Sequence, residues 1–275
     1  MERHAEHAKA RAGCSRVRGA LLYLSLGALL LPSPALAQTT FTHVHMRVPD
    51  TAEAAAWHQA LLGGEVVSRG PGQAVLHRNG LVMTMQAEGD TPPSEGGVID
   101  HFGIAVEDVV ATVARAREMG AQIRTEPQVG VTASTIAFIE DPWGTRMELL
   151  EDPVYTGVNH LHMMASDPDG VHAWFLDVFG GEDIPARGKG QFHTILYGDV
   201  WVHISRPAQG FPAPSRFRAI DHIGFRVPSL QAFGEVLEAS GYTPYLVRPN
   251  PPGSDLMFFE GPEGIHFEIT EIVAP

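Results

Sequence analysis

The sequence predicts an α+β fold built from four βαβββ-type units, and three observations lead to it. A histidine recurs at positions 43, 101, 160 and 222, spaced by roughly sixty residues, each inside a mostly apolar run. A helix signal follows every run. Short β-rich runs, separated by Gly, Pro or Asn turns, then complete each unit.

The repeated first strands are residues 41–48, 99–106, 158–165 and 220–227. Each reads as an apolar residue, a polar one, a histidine and a mostly apolar run. Asp50 with Glu53, ahead of Ala54 and Trp57, is a helix N-terminus, and Asp167 does the same ahead of Trp174, Phe175 and Val178. Gly120 and Gly241 suit left-handed C-caps, and Gly63-Gly64 and Gly180-Gly181 close the other two helices. Residues 135–139 and 146–150, and likewise 256–259 and 266–270, read as strand pairs joined by the matched turns 141–144 and 261–264.

The units alternate in type. Units one and three carry His-x-His and end their helix in Gly-Gly. Units two and four carry Asp-His and a Pro-x-Gly turn before the last strand. This reads as a pair of pairs. One domain is expected over residues 38–152 (modules 41–89 and 99–152) and another over 158–275 (modules 158–210 and 219–272).

Residues 1–37 stand apart. Arg3, Lys9, Arg11, Arg16 and Arg18 precede an apolar run, and Ala35-Leu36-Ala37 gives a small-x-small end. That order is expected of a secretory signal peptide, and hence of a periplasmic or secreted protein with no membrane association after cleavage. The single cysteine, Cys14, lies in this leader, so any metal in the remainder must be held by His and carboxylate. The whole chain carries a net charge of −13, an unfavourable balance for nucleic acid or anionic membrane surfaces.

A first-strand histidine followed, roughly fifty residues on, by an Asp-Pro-x-Gly turn and a Glu resembles the module of the vicinal oxygen chelate superfamily of glyoxalases, bleomycin-resistance proteins and extradiol dioxygenases. The resemblance implies two open, cupped β-barrels, with metal ligands from the first and last strand of each module. The last-strand positions it selects are Thr84, Glu148, His203 and Glu268. Pairing consecutive modules gives His160, His203, His222 and Glu268 as the preferred metal site. It gives His43, His101 and Glu148, with Thr84 in the fourth place, as a second site. Fe2+, Mn2+, Zn2+, Co2+ or Ni2+ would suit such nitrogen and oxygen ligands. The implied function is a lyase, isomerase or dioxygenase acting on a small molecule that chelates metal through two oxygens, with Glu268 as base.

His45 and His162 share the face of the first-strand histidines and are placed as pocket-lining groups, His162 as a proton carrier. Trp57, Trp174 and the methionines are placed in the core. His58, His77, His172, His193 and His266, with Arg146 and Arg226, are placed at the surface or in loops. Phe138 and Phe258 or Phe259 stand where extradiol dioxygenases carry Tyr, which disfavours ring cleavage. Thr84 and His203 depart from the carboxylate or amide of glyoxalase I. A metal-free binding protein of the bleomycin-sequestering type is the alternative, and a homodimer is compatible with either.

Overall fold

The computed structural model describes residues 39–69, 71–250 and 254–271, so the leader and Cys14 lie outside the described residues. Unit one comprises β1 (Thr40–Val48), α1 (Thr51–Leu62), β2 (Glu65–Arg69), β3 (Gly72–His77) and β4 (Gly80–Gln86). Unit two comprises β5 (Ile99–Ala105), α2 (Val109–Glu118), β6 (Gln122–Gln128), β7 (Ile136–Glu140) and β8 (Arg146–Leu150). Unit three comprises β9 (Gly157–Met164), α3 (Pro168–Phe179), β10 (Glu182–Asp183), the single turn α4 (Pro185–Gly188), β11 (His193–Tyr197) and β12 (Val200–Ser205). Unit four comprises β13 (Ile220–Val227), α5 (Leu230–Ala239), β14 (Leu246–Asn250), β15 (Ser254–Glu260) and β16 (His266–Glu271).

The helices begin where short polar side chains satisfy unpaired N–H groups. Asp50 accepts from Ala52 and Glu53 at 2.9 and 3.0 Å, Asp108 and Asp167 accept from Ala111 and Gly170, and Ser229 accepts from Ala232. Gly120 and Gly241 follow α2 and α5 at φ 87° and 90°, a left-handed turn that a Cβ would strain.

The strands form two mixed eight-stranded sheets. One runs β14-β15-β16-β13-β1-β4-β3-β2 and the other β10-β11-β12-β9-β5-β8-β7-β6. Unit one therefore shares a sheet with unit four, and unit two with unit three. The expected pairing of consecutive units, one with two and three with four, is corrected. Each sheet joins one His-x-His strand to one Asp-His strand, which both arrangements satisfy locally. The antiparallel pairs β1–β13 and β5–β9 form the seams.

Consecutive units remain neighbours through their helices. Trp57 on α1 donates its indole N–H to the Met119 carbonyl, and Arg115 on α2 donates to that of Leu61. His58, expected at the surface, is wholly buried and lies 3.1 Å from Asp141 of the β7–β8 turn. Asp141 also accepts from the backbone of Trp143 and Thr145, so one carboxylate ties α1 to the turn. Trp174 is buried as expected, packing beside Phe175, Phe179 and Phe267. Asp141→Ala should cost about 2–4 kcal/mol, because it leaves two backbone donors and a buried imidazole without an acceptor. Denaturant unfolding of the variant beside the wild type measures this.

Candidate metal centres

Register at the two seams builds two equivalent centres. Across β5–β9, His101 faces His162 and Gly103 faces His160. Across β1–β13, His222 faces His45 and Gly224 faces His43. The imidazoles of His160 and His43 lie directly over these glycines. A Cβ at Gly103 would stand 2.1 Å from a ring carbon of His160, and one at Gly224 equally close to His43. The glycine two residues after each Asp-His therefore makes room for the histidine of the neighbouring strand.

The last strand of each unit lies parallel to the first and supplies one more side chain to the same face. Gly103 faces Glu148, Gly224 faces Glu268, and His162 faces His203. In unit one the matching residue is Met83, opposite His45. Thr84, expected in this place, points to the other face. Its hydroxyl donates toward the carbonyls of Thr51 and Gln73. The one-residue offset inverts the face, since strand side chains alternate.

The preferred four-ligand set therefore divides. His160 and His203 belong with His101 and Glu148, and His222 and Glu268 belong with His43. In the β5/β9 centre, Glu148 lies 3.4 Å from His101 Nε2 and 3.1 Å from His160 Nε2, and His203 stacks on His160 with centroids 4.4 Å apart. In the β1/β13 centre, Glu268 lies 3.3 Å from His222 Nε2 and 3.8 Å from His43 Nε2. His43, His45, His222 and Glu268 each offer an atom within 4.8 Å of the others, as do His101, His160 and His162.

Each first-strand imidazole is oriented by the residue before it. Nδ1 of His101 lies 2.7 Å from Asp100, that of His222 lies 2.8 Å from Asp221, that of His160 lies 2.9 Å from the amide oxygen of Asn159, and that of His43 lies 3.0 Å from the Thr42 hydroxyl. An N–H donated from Nδ1 leaves the Nε2 lone pair facing the centre, the tautomer a metal ligand needs. Nε2 of His43, His101, His160 and His203 is buried with no hydrogen-bond partner. Buried polar atoms are rarely left so, and those of His43, His101 and His160, each facing a carboxylate, fit divalent cations.

Electrostatics agree. Burial resists ionisation of Glu148, yet His160 and His101 hold its carboxyl far below the usual range. Burial likewise opposes charge on Glu268, but His222 and His43 beside it bring it down to about 2. Burial lowers His43 to about 4, and it also pulls down His45, His160, His162 and His203. His101 and His222 move the other way. Burial disfavours their charge, but the flanking carboxylates Asp100 and Glu148, or Asp221 and Glu268, outweigh it.

Several supporting residues escape a reading of the sequence alone. The polar residue before each histidine was visible there, but its grip on Nδ1 was not. Ser94 and Ser215 accept from the N–H of Arg146 and His266 and donate to the carbonyls of Asp100 and Asp221, joining first strand to last. A Pro-Ser pair six residues before each Asp-His was the available signal. Arg146 and His266, placed at the surface by sequence, instead hold those aspartates at 3.0 and 2.9 Å. Of the remaining histidines placed there, His77 is buried, His172 pairs with Asp183 and His193 pairs with Asp169. Phe138 and Phe258 stand edge-on to His101 and His222, whereas Phe259 belongs to the core.

The family model for the Glyoxalase/Bleomycin resistance protein/Dioxygenase superfamily matches residues 40–149. A probable chloroplastic lactoylglutathione lyase of Arabidopsis thaliana is 34% identical over 99 residues, 35% of this chain. The match spans 28% of that relative's length. Glyoxalase I from Zea mays superposes with a TM-score of 0.67 at 16% identity, covering 85% of this chain and 92% of that one. A putative dioxygenase from Bacillus subtilis superposes with a TM-score of 0.65 at 14% identity, covering 84% of each chain. The two structures establish the shared fold.

Two outcomes follow from the geometry. Gly103→Ala should displace the His160 ring and lower metal affinity at least about tenfold, the scale of a disturbed ligand orientation, as read by cobalt titration. The metal-free protein should lose stability as pH falls from about 6.5 toward 4. His43, His45, His160, His162 and His203 stay neutral when folded but take up protons when unfolded, so their contribution is present above 6.5 and lost on acidification. His101 and His222, raised, act in the opposite direction but are fewer. At pH 5 His43 alone accounts for about 2 kcal/mol. Denaturant midpoints at pH 7.5 and 5 are the measurement.

Proposed function

We propose, from the premise that residues 40–149 belong to the Glyoxalase/Bleomycin resistance protein/Dioxygenase superfamily, that this chain is a divalent-metal-dependent lyase for a small substrate presenting two neighbouring oxygens. The observation that carries the reading is the β5/β9 centre, where the ionised Glu148 lies 3.4 Å from His101 Nε2 and 3.1 Å from His160 Nε2, with His203 stacked on His160. Four such ligands leave two positions of an octahedral ion for a bidentate substrate. His101, His160, His203 and Glu148 would hold the metal there, and His43, His222 and Glu268 would hold it at the other centre.

A bound divalent ion would draw electron density from two substrate oxygens and acidify the C–H between them. The chain's own groups do the rest. Glu148, held ionised, sits where it can accept that proton and return it to the adjacent carbon, and Glu268 occupies the same place in the other centre. His162, neutral and 2.8 Å from the Ser205 hydroxyl, is placed to pass a proton onward. Phe192 packs on both His162 and His203 and limits water at one side.

The Arabidopsis relative's name selects the first substrate to try, since lactoylglutathione carries a hydroxyl beside its thioester carbonyl. Export, read from residues 1–37, belongs to the same proposal and would require another adduct of similar shape. A dioxygenase is the second reading. The family model that matches residues 40–149 also covers dioxygenases. In Glu148→Gln, metal content should fall by about one ion per chain, and lyase turnover should drop at least 100-fold with loss of ligand and base together. Elemental analysis beside a lactoylglutathione assay reads both. Full turnover by metal-depleted protein would defeat the proposal.

A further inference from the structure

We infer that His45 is a metal ligand of the β1/β13 centre, replacing the last-strand ligand that unit one lacks, whereas its counterpart His162 is not a ligand of the β5/β9 centre. The inference rests on the metal-centre reading above and concerns a position to which neither the family match nor the repeat assigns ligation.

The two centres can be compared residue by residue, because their registers are the same. Opposite the second histidine of each His-x-His stands the last-strand residue that faces the centre: His203 in unit three and Met83 in unit one. Two residues further along, Met164 faces Ser205, and Arg47 faces Met85. Both changes remove a polar group from the β1/β13 centre. His203 becomes a thioether with little affinity for a hard or borderline cation, and Ser205 becomes a side chain unable to anchor an imidazole.

The consequences for the second histidine are opposite. His162 lies as near its Asp-His partner as His45 does, 4.7 Å from His101 between centroids and 6.3 Å from His160, but its Nε2 is engaged 2.8 Å from the Ser205 hydroxyl. The β5/β9 centre also has His203 in the fourth place. His45 has no such hydroxyl beside it, and its one side-chain hydrogen bond among the described residues is to His222. Its ring lies 5.5 Å from His43 and 4.5 Å from His222, and Nδ1 points 2.9 Å from His222 Nε2. Two imidazole nitrogens that close, with Glu268 3.3 Å from one of them, form the donor set of a cation. His43, His45, His222 and Glu268 then match the three-imidazole, one-carboxylate count of the other centre by a different route. The β1/β13 centre is not the three-ligand site that its first and last strands alone would give.

The test uses the full chain with one centre disabled. In His160→Ala/Glu148→Gln protein, a single Co2+ should remain, at the β1/β13 centre. X-ray absorption should count three imidazoles on it, falling to two when His45→Gln is added, with affinity lowered about 100-fold. In the reciprocal His43→Ala/Glu268→Gln protein, adding His162→Gln should leave the imidazole count unchanged. A count of two with His45 intact would overturn the inference, and does not depend on the His45 variant folding. An equal change for His45→Gln and His162→Gln would also overturn it. If the first background bound no Co2+ while the reciprocal one did, His45 ligation would be wrong and the β5/β9 reading would stand. No Co2+ on the wild type would remove both.

Discussion

An imidazole lying flat over a glycine on the antiparallel neighbour is the contact on which each centre depends. The seam sets two chains so close that any side chain at Gly103 or Gly224 would occupy the space of the ring. With the ring in that space, Nδ1 reaches the preceding polar residue and Nε2 has one direction left. Strand register, ring orientation and tautomer are thus three results of one steric fact. The carboxylates arrive by a second route, on strands running parallel to the first, so neither unit of a sheet completes a centre alone.

Much of this was legible in the sequence, for local reasons. Repeat spacing, capping aspartates and closing glycines are short-range signals, and the helices fall where those signals put them. Glu148, Glu268 and His203 lie on the centre's face because Asp-His-x-Gly and His-x-His fix the phase of the first strands. Module pairing was not legible, because a His-x-His strand is satisfied by either Asp-His strand. Long-range hydrogen bonds, such as Ala219 N–H to the Pro92 carbonyl and Val98 N–H to that of Ala213, tie the segments ahead of β13 and β5 together, and no local pattern encodes them. Thr84 failed for another reason. In Leu81-Val-Met-Thr-Met85 it is the sole side chain bearing oxygen, and a strand with apolar residues on both faces gives no alternation to correct the count.

The centres share a plan and differ in its outer parts. Asp100 is shared between His101 and the permanent charge of Arg146, which also lies over the Phe138 ring at 4.7 Å. Asp221 is shared between His222 and His266, and His266 in turn meets the Tyr245 hydroxyl. A guanidinium cannot change its charge, whereas an imidazole can. The basicity of His101 and His222 is therefore set by unlike partners.

The nesting of one sheet inside the chain path of the other has a consequence for biosynthesis. Residues 99–205 contain every strand of the β5/β9 sheet, so that sheet can close as soon as they leave the ribosome. Strand β1 emerges earlier than all of them, yet must wait for β13, about three times as far along the chain as β9 is from β5. The entropy of the longer loop adds only about 1 kcal/mol, so the penalty is one of time rather than of final stability. Throughout that interval a nascent β1, apolar and unpaired along one side, is open to capture by another copy or by a chaperone.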